Sequence, residues 1–119
     1  MGVYIFKSIH GPYIKVGHYK GLNAWSRIAH RGFYSCVCPN DIRDRVSVQD
    51  MELCAWFPNL TKKEERMVKT KWKLFRIYQK SEWFPDHLYH DILTFLTGLD
   101  ECDLSLCNLE EALMTRSRL

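Results

Sequence analysis

The chain contains 119 residues, of which 46% are hydrophobic and 26% charged, and its formal net charge at pH 7 is +3. This length and composition fit one globular domain and exclude a disordered polyelectrolyte or a multidomain enzyme. No apolar run approaches the roughly 20 residues that a membrane-spanning helix needs, and the first residues do not form a signal peptide. We therefore expect a soluble intracellular protein, cytoplasmic or nuclear, without a membrane partner.

The charges are unevenly distributed along the chain. Residues 1–40 contain five lysines and arginines and no carboxylate, and residues 60–80 contain eight against Glu64 and Glu65. Residues 100–119 reverse the sign, with five carboxylates against two arginines. Two basic blocks favour a surface for a polyanion, with the acidic end kept away from it. Basic helices are also often only solvated faces, so the charge pattern alone leaves nucleic-acid binding open.

Two alternating segments open the chain. Residues 2–6 and 13–17 alternate with a period of two, and His10-Gly11-Pro12 supplies turn chemistry between them, which predicts a β-hairpin. If the isoleucines and valines form the core face, three residues share the other face by this periodicity: Tyr4, Tyr13 and Lys15.

A short helix and a third strand follow. Asn23 can cap a helix that carries Arg27 and Arg31 on one side, and residues 51–57 are typical of a strand closed by a proline. The next helix begins with a capping box formed by Thr61 and Glu64.

The helix after the capping box has an apolar stripe of Val68, Trp72 and Phe75. Glu65 lies on the same side as Val68, so it is either paired with Lys69 at i+4 or a functional carboxylate.

The remaining segments are interpreted as helices. Trp83-Phe84-Pro85 starts a helix with Gly98 near its end, and residues 106–114 form a weaker one. The order of elements indicates an α+β fold, a small antiparallel sheet packed by helices. We expect one domain over 1–99 and an acidic helical extension over 100–119 that packs on it or trails from it. The apolar side of the predicted 83–98 helix comprises Leu88, Ile92, Phe95, Leu96 and Leu99.

The five cysteines favour reduced thiols, because a disulfide framework needs pairs. Cys36 and Cys38 have one residue between them, which is closer than the usual spacing of zinc ligands. With Cys54 and His30 they still form a candidate zinc set, and the simpler interpretation is small buried strand residues.

Four short motifs follow one another along the chain. The first two are Gly2-Val3-Tyr4 and Tyr13-Ile14-Lys15-Val16-Gly17, and Arg27 follows in a helix. The third is Glu65-x-x-Val68-Lys69-x-x-Trp72, and the fourth is Arg76 followed by Ser81-Glu82-Trp83-Phe84. In this order and spacing they resemble the GIY-YIG endonuclease superfamily, in its branch from phages and large DNA viruses. The resemblance covers residues 2–96.

The resemblance implies a nuclease core in which helices flank a three-stranded antiparallel sheet. Such a core hydrolyses DNA phosphodiester bonds with one divalent cation, Mg²⁺ or Mn²⁺. Tyr4 would hydrogen-bond or activate the attacking water, Arg27 would hold the scissile phosphate and Glu65 would bind the metal. His30 lies near the place of the family's helix histidine, one residue short of its offset, and is included as a further catalytic candidate.

The resemblance also makes DNA the expected partner. Lys69, Lys73 and Arg76, in the second basic block, are the candidate phosphate contacts. A chain with so little beyond the core is a candidate for forming a homo-oligomer or for taking its specificity from a partner protein.

The second motif departs from the family pattern. Lys15 stands where that motif has its tyrosine, and Tyr13 lies two residues earlier on the same strand face. A lysine stabilises phosphate charge but transfers protons poorly unless its pKa is depressed. The roles of Lys15 and Tyr13 therefore stay open, and so does activity. The alternative is a catalytically inactive nucleic-acid-binding or viral structural protein that keeps the fold, and a zinc-stabilised scaffold is a third hypothesis.

Overall fold

The computed structural model describes residues 1–22, 24–25, 38–43, 50–78 and 81–104. Within these ranges the fold is α+β, as predicted. Apart from Ala24 and Trp25, the predicted helix after Asn23 lies outside the described residues, as do the predicted C-terminal helix and the residues Arg27, His30 and Cys36. In the described part of the chain, no helix combines the length and the apolar character that crossing a bilayer requires.

The described strands form one antiparallel sheet. They are β1 (Gly2–Ser8), β2 (Tyr13–Tyr19), β3 (Met51–Phe57) and β4 (Trp83–Pro85). Their order across the sheet is β3-β1-β2-β4, so the predicted hairpin forms the centre. The third strand occupies the predicted residues, and the hairpin strands run two residues longer than the alternating pattern indicated.

The fourth strand corrects the prediction of a helix that starts at Trp83 and the expectation of three strands. Phe84 lies opposite Ile14 and Trp83 opposite Lys15, so the two aromatic rings point to opposite faces of the sheet. Each ring is buried in a different apolar cluster, which only an extended backbone allows. Pro85 is tolerated because β4 lies at the edge of the sheet.

An apolar cluster covers each face of the sheet, which explains why β1 is buried on both sides. The helices pack on one face, and the residues that pack there include Val3, Ile5, Ile14, Val16, Phe57, Val68, Trp72, Phe84, Ile92 and Leu96. Aromatic residues dominate the opposite face, where the cluster contains Tyr4, Phe6, Trp25, Cys38, Ile42, Met51, Leu53, Trp56 and Trp83.

Helix α1 (Lys62–Lys71) begins at the predicted capping box: the Thr61 hydroxyl accepts from the backbone of Lys63, and the Glu64 carboxylate accepts from the backbone of Thr61. Val68 and Trp72 are buried as predicted, but Phe75 is 48% exposed. The chain passes into a 3₁₀ helix at Lys73–Phe75, and its tighter turn rotates Phe75 off the stripe.

Helix α2 (Tyr89–Thr97) follows a 3₁₀ turn at Asp86–Leu88. Three of the five residues predicted for its apolar side are buried: Leu88, Ile92 and Leu96. Leu99 is 43% exposed, because it lies beyond Gly98, where the helix ends.

Candidate active site

The centre of the site is a buried ion pair between β2 and the start of β4. Lys15 projects to the same face as Tyr4, as the alternation predicted, and its side chain is only 2% exposed. Its Nζ atom donates to Oε2 of Glu82 at 3.0 Å. A buried ammonium group needs such a partner, because leaving it unpaired would cost several kcal/mol.

Tyr4 approaches the same carboxylate from β1. It is paired across the ladder with Gly17, and its side chain is fully buried. The Tyr4 hydroxyl oxygen and Oε2 of Glu82 both lie within about 3 Å of the point where a Cβ on Gly17 would be. The missing side chain of Gly17 therefore leaves room for both groups on this side of the sheet.

Helix α1 contributes two further charges. Lys69 donates to Oε1 of Glu82 at 3.3 Å and forms an i,i+4 ion pair with Oε1 of Glu65. The sequence-based pairing of Glu65 with Lys69 is thus confirmed, and Glu82 connects that pair to the hairpin. The four residues Lys15, Glu65, Lys69 and Glu82 form the charged cluster.

The pKa values of the two carboxylates of the charged cluster are shifted in opposite directions. Burial raises the pKa of Glu65, and the nearby Glu82 raises it further, against the opposing effect of Lys69. Burial also acts to raise the pKa of Glu82, but the attraction of Lys15 and Lys69 outweighs it and lowers that pKa. Adjacent carboxyl groups whose pKa values are shifted in opposite directions are typical of functional sites, although structural ion-pair networks produce the same effect.

The charged cluster has a closed end and an open end. The side chains of Lys15 and Glu65 are 2% and 8% exposed, whereas those of Lys69 and Glu82 are 22% and 29% exposed. An incoming ion or phosphate therefore meets Lys69 and Glu82 first.

The other sequence-based candidates lie apart from this cluster. The Tyr13 hydroxyl donates to the carboxylate of Asp41, at 2.9 and 2.8 Å from its two oxygens. Arg76 Nε donates to the carbonyl oxygen of Ser81, one residue before Glu82 in the chain. Lys73 is exposed, so it is available to an external anion.

The zinc hypothesis fails on the geometry of two of its cysteines. Cys38 belongs to the aromatic cluster on one face of the sheet, and Cys54 packs against the cluster on the other. One tetrahedral ion cannot bind thiolates across a sheet. Burial raises the pKa of both thiols to about 11, which fits buried core cysteines.

A hard divalent cation suits the donor set better. Glu65 supplies a carboxylate that already binds the ammonium group of Lys69. Lys69 lies at the open end of the charged cluster, so Glu65 is the carboxylate behind it. Among the described residues no group of three or more histidine, cysteine, aspartate or glutamate side chains could enclose a metal. Mg²⁺ fits such a site, because it prefers oxygen ligands and keeps several of its waters.

Glu82 is the residue that sequence reasoning missed as a site residue. It belongs to the Glu-Trp-Phe signature of the fourth motif, Glu82-Trp83-Phe84, which carries no assigned role, yet it contacts both lysines of the charged cluster. One signal could have found it: residues 1–40 contain no carboxylate, so a buried Lys15 must take its partner from a distant segment.

No family model, curated protein or solved structure compared with the chain gives a match. The family resemblance therefore depends on the four motifs themselves.

Proposed function

We propose that the protein is a divalent-metal-dependent endonuclease of the GIY-YIG type that hydrolyses DNA phosphodiester bonds. The observation that supports this best is the meeting of Tyr4 and Lys15 from the hairpin with Glu65 from α1 around one carboxylate, that of Glu82. Tyr4 and Lys15 share a face because they lie in one hairpin, whereas no local periodicity connects either of them with Glu65. All three belong to motifs that the resemblance assigns to a single active site.

In this proposal Glu65 holds Mg²⁺ or Mn²⁺, which when bound supplies charge neutralisation at the phosphoryl oxygens. Tyr4 orients the attacking water through its hydroxyl. Arg27 grips the scissile phosphate, since a planar guanidinium can bind two phosphate oxygens at once. His30 is a further catalytic candidate, by its place near the family's helix histidine.

The second-motif residues take separate roles. Lys15 adds positive charge on the Tyr4 side of the site, where a developing phosphorane is stabilised by fixed cations. Tyr13, bonded to Asp41, acts as a support for the loop at residues 38–43.

DNA would run over the basic surface formed by α1 and the residues after it. Lys69, Lys73 and Arg76 are the proposed phosphate contacts, beside a hairpin segment that carries no carboxylate to repel the backbone. Sequence specificity would come from a homo-oligomer or a partner protein. The phage or viral origin suggested by the Glu-Trp-Phe signature belongs to the same proposal.

A second candidate is a binding protein that keeps this fold without catalysis. The observation that favours it is the closed end of the charged cluster: Tyr4 is fully buried, and the lysine in the second motif is bound to Glu82. A tyrosine side chain buried in this way can stabilise the packing of the fold without taking part in catalysis.

Plasmid nicking in Mg²⁺ or Mn²⁺ tests the proposal. Wild type should nick, and Glu65→Gln or Arg27→Ala should lower the rate by roughly 10²-fold or more, because each removes a group that stabilises phosphate charge. Glu64→Gln is the matched control, since glutamine keeps the capping box and the change is isosteric with Glu65→Gln.

Three outcomes would contradict the proposal as written. Equal nicking by Glu65→Gln would mean a wrong site or a contaminating nuclease. A severe effect of Glu64→Gln with a mild effect of Glu65→Gln would move the metal ligand to Glu64. Salt-dependent DNA binding without any nicking would support the second candidate.

A further inference from the structure

We infer that Glu82 is a second carboxylate of the proposed cation site and that the Lys69 ammonium competes with the divalent ion for it. This inference rests on the proposed function, to which it adds two residues with defined roles. It begins from the contacts of one nitrogen atom: Lys69 Nζ is bound by Oε1 of Glu65 and by Oε1 of Glu82, the latter at 3.3 Å.

Because both oxygens reach the same nitrogen, they already face a common point that holds positive charge. A Mg²⁺ ion at that point would need oxygens at about 2.0–2.1 Å, so Oε1 of Glu82, now 3.3 Å from the nitrogen, would need to move in by about 1.2–1.3 Å. The side chains that hold an ammonium group here are therefore suited to hold a small cation instead.

The two oxygens of Glu82 are divided between the two ends of the charged cluster. Oε2 accepts from Lys15 and Oε1 accepts from Lys69. Lys15 is 2% exposed, whereas Lys69 is 22% exposed and lies at the open end. Lys69 is thus the cation that can leave, and Lys15 keeps Glu82 oriented when it does.

The exchange changes the charge that DNA meets. With Lys69 in place, two carboxylates face two ammonium groups and the charged cluster is neutral. Replacing the Lys69 ammonium by a divalent ion would make the cluster net positive and release Lys69 toward solvent, four residues before Lys73 in the chain. Metal binding would therefore strengthen DNA binding through a lysine that is otherwise occupied.

Mn²⁺ titration by calorimetry on the full chain tests this. Lys69→Met should tighten Mn²⁺ binding, by roughly fivefold or more, since it removes a competing ion pair. Lys73→Met is the matched control, because it deletes the same charge from an exposed side chain just beyond the end of α1, and it should change the Mn²⁺ affinity far less.

Glu82→Gln should weaken Mn²⁺ binding by roughly tenfold or more. That variant leaves Lys15 buried without its carboxylate, so the double variant Lys15→Met/Glu82→Gln is measured beside it and should bind Mn²⁺ with the same weakness. Brief acetylation followed by mass spectrometry gives an independent readout: Mg²⁺ should speed the labelling of Lys69 and leave that of Lys73 unchanged.

The results separate the inference from the function on which it rests. If neither the wild type nor any variant binds Mn²⁺, the inference and the proposed function are both overturned. If Mn²⁺ binds and Glu65→Gln abolishes binding, but Glu82→Gln has no effect and Lys69→Met acts no more strongly than Lys73→Met, the inference alone is overturned. If Mg²⁺ leaves the rate of Lys69 labelling unchanged, the proposal that Lys69 competes with the divalent ion is also overturned.

Discussion

Gly17 lies directly across from Tyr4 in the β1–β2 ladder, and any Cβ atom on Gly17 would overlap the Tyr4 hydroxyl group. The same Cβ atom would come 3.0 Å from Oε2 of Glu82. The constraint is one of space, and it ties one backbone position to two side chains of the candidate site.

We expect Gly17→Ala to destabilise the protein by about 1–3 kcal/mol, the usual cost of forcing a methyl group into a packed interior. Gly98→Ala is the control, because a Cβ there would make only ordinary contacts at 3.4 and 3.5 Å to the end of α2. That variant should be neutral or slightly stabilising. Urea denaturation of both variants checks the prediction, and equal effects would show that Tyr4 moves aside freely.

The two carboxylates of the charged cluster should respond oppositely to removal of their charge in metal-free buffer at neutral pH. Because the pKa of Glu82 is lowered by its lysines, Glu82→Gln should cost roughly 3 kcal/mol, mainly by leaving Lys15 buried and unpaired. Because the pKa of Glu65 is raised, with burial as the main cause, its negative charge destabilises the folded state. Glu65→Gln should therefore be neutral or stabilising. Thermal unfolding in EDTA measures both, and a larger loss in Glu65→Gln would reverse the assignment.

The Tyr13–Asp41 hydrogen bond should make stability depend on pH in alkaline solution. The hydrogen bond raises the pKa of Tyr13 above its ordinary value of 10.0, and burial and the charge of Asp41 act in the same direction. The folded state thus favours the neutral phenol, so this contribution is fully present below pH 10 and lost as the pH rises through the raised pKa. The difference in unfolding free energy between wild type and Tyr13→Phe should shrink over that window. A difference that does not change with pH would mean that the bond contributes nothing.

Lys73 and Arg76 should behave differently although both are proposed phosphate contacts. Lys73 is exposed, so Lys73→Ala should reduce the log–log salt slope of DNA binding by about one and leave stability unchanged. Arg76 donates to the carbonyl oxygen of Ser81 at 2.6 Å, so Arg76→Ala should also lower stability, by about 1.5–3 kcal/mol. Fluorescence anisotropy at several salt concentrations, with melting curves, separates the two. Identical behaviour of the two variants would show that the Arg76 bond has no structural weight.

Local sequence patterns predicted the elements whose structure depends on residues close together in the chain. Period-two alternation placed Tyr4 and Lys15 on one face, and the Thr61–Glu64 spacing located the start of α1. They failed at Trp83, because a proline after two aromatic residues is equally typical of a helix start and of a short edge strand. Only the pairing with β2 decides between the two.

Glu82 was missed for a related reason. Its partners Lys15 and Lys69 are 67 and 13 residues away in the chain, so no helical or strand periodicity connects them. The sequence predicted the residue types of the site, whereas the identity of the central carboxylate depended on the topology of the sheet.

The long separation between Lys15 and Glu82 also bears on how the chain folds as it is made. Lys15 leaves the ribosome well before Glu82, and until then its ammonium group has no carboxylate from residues 1–40 to join it in a dry interior. We expect nascent chains that stop short of residue 82 to hold the hairpin with its aromatic face still hydrated. Closure of that face and assembly of the charged cluster would then occur in one step, so that a chain truncated before Glu82 loses compactness and site together.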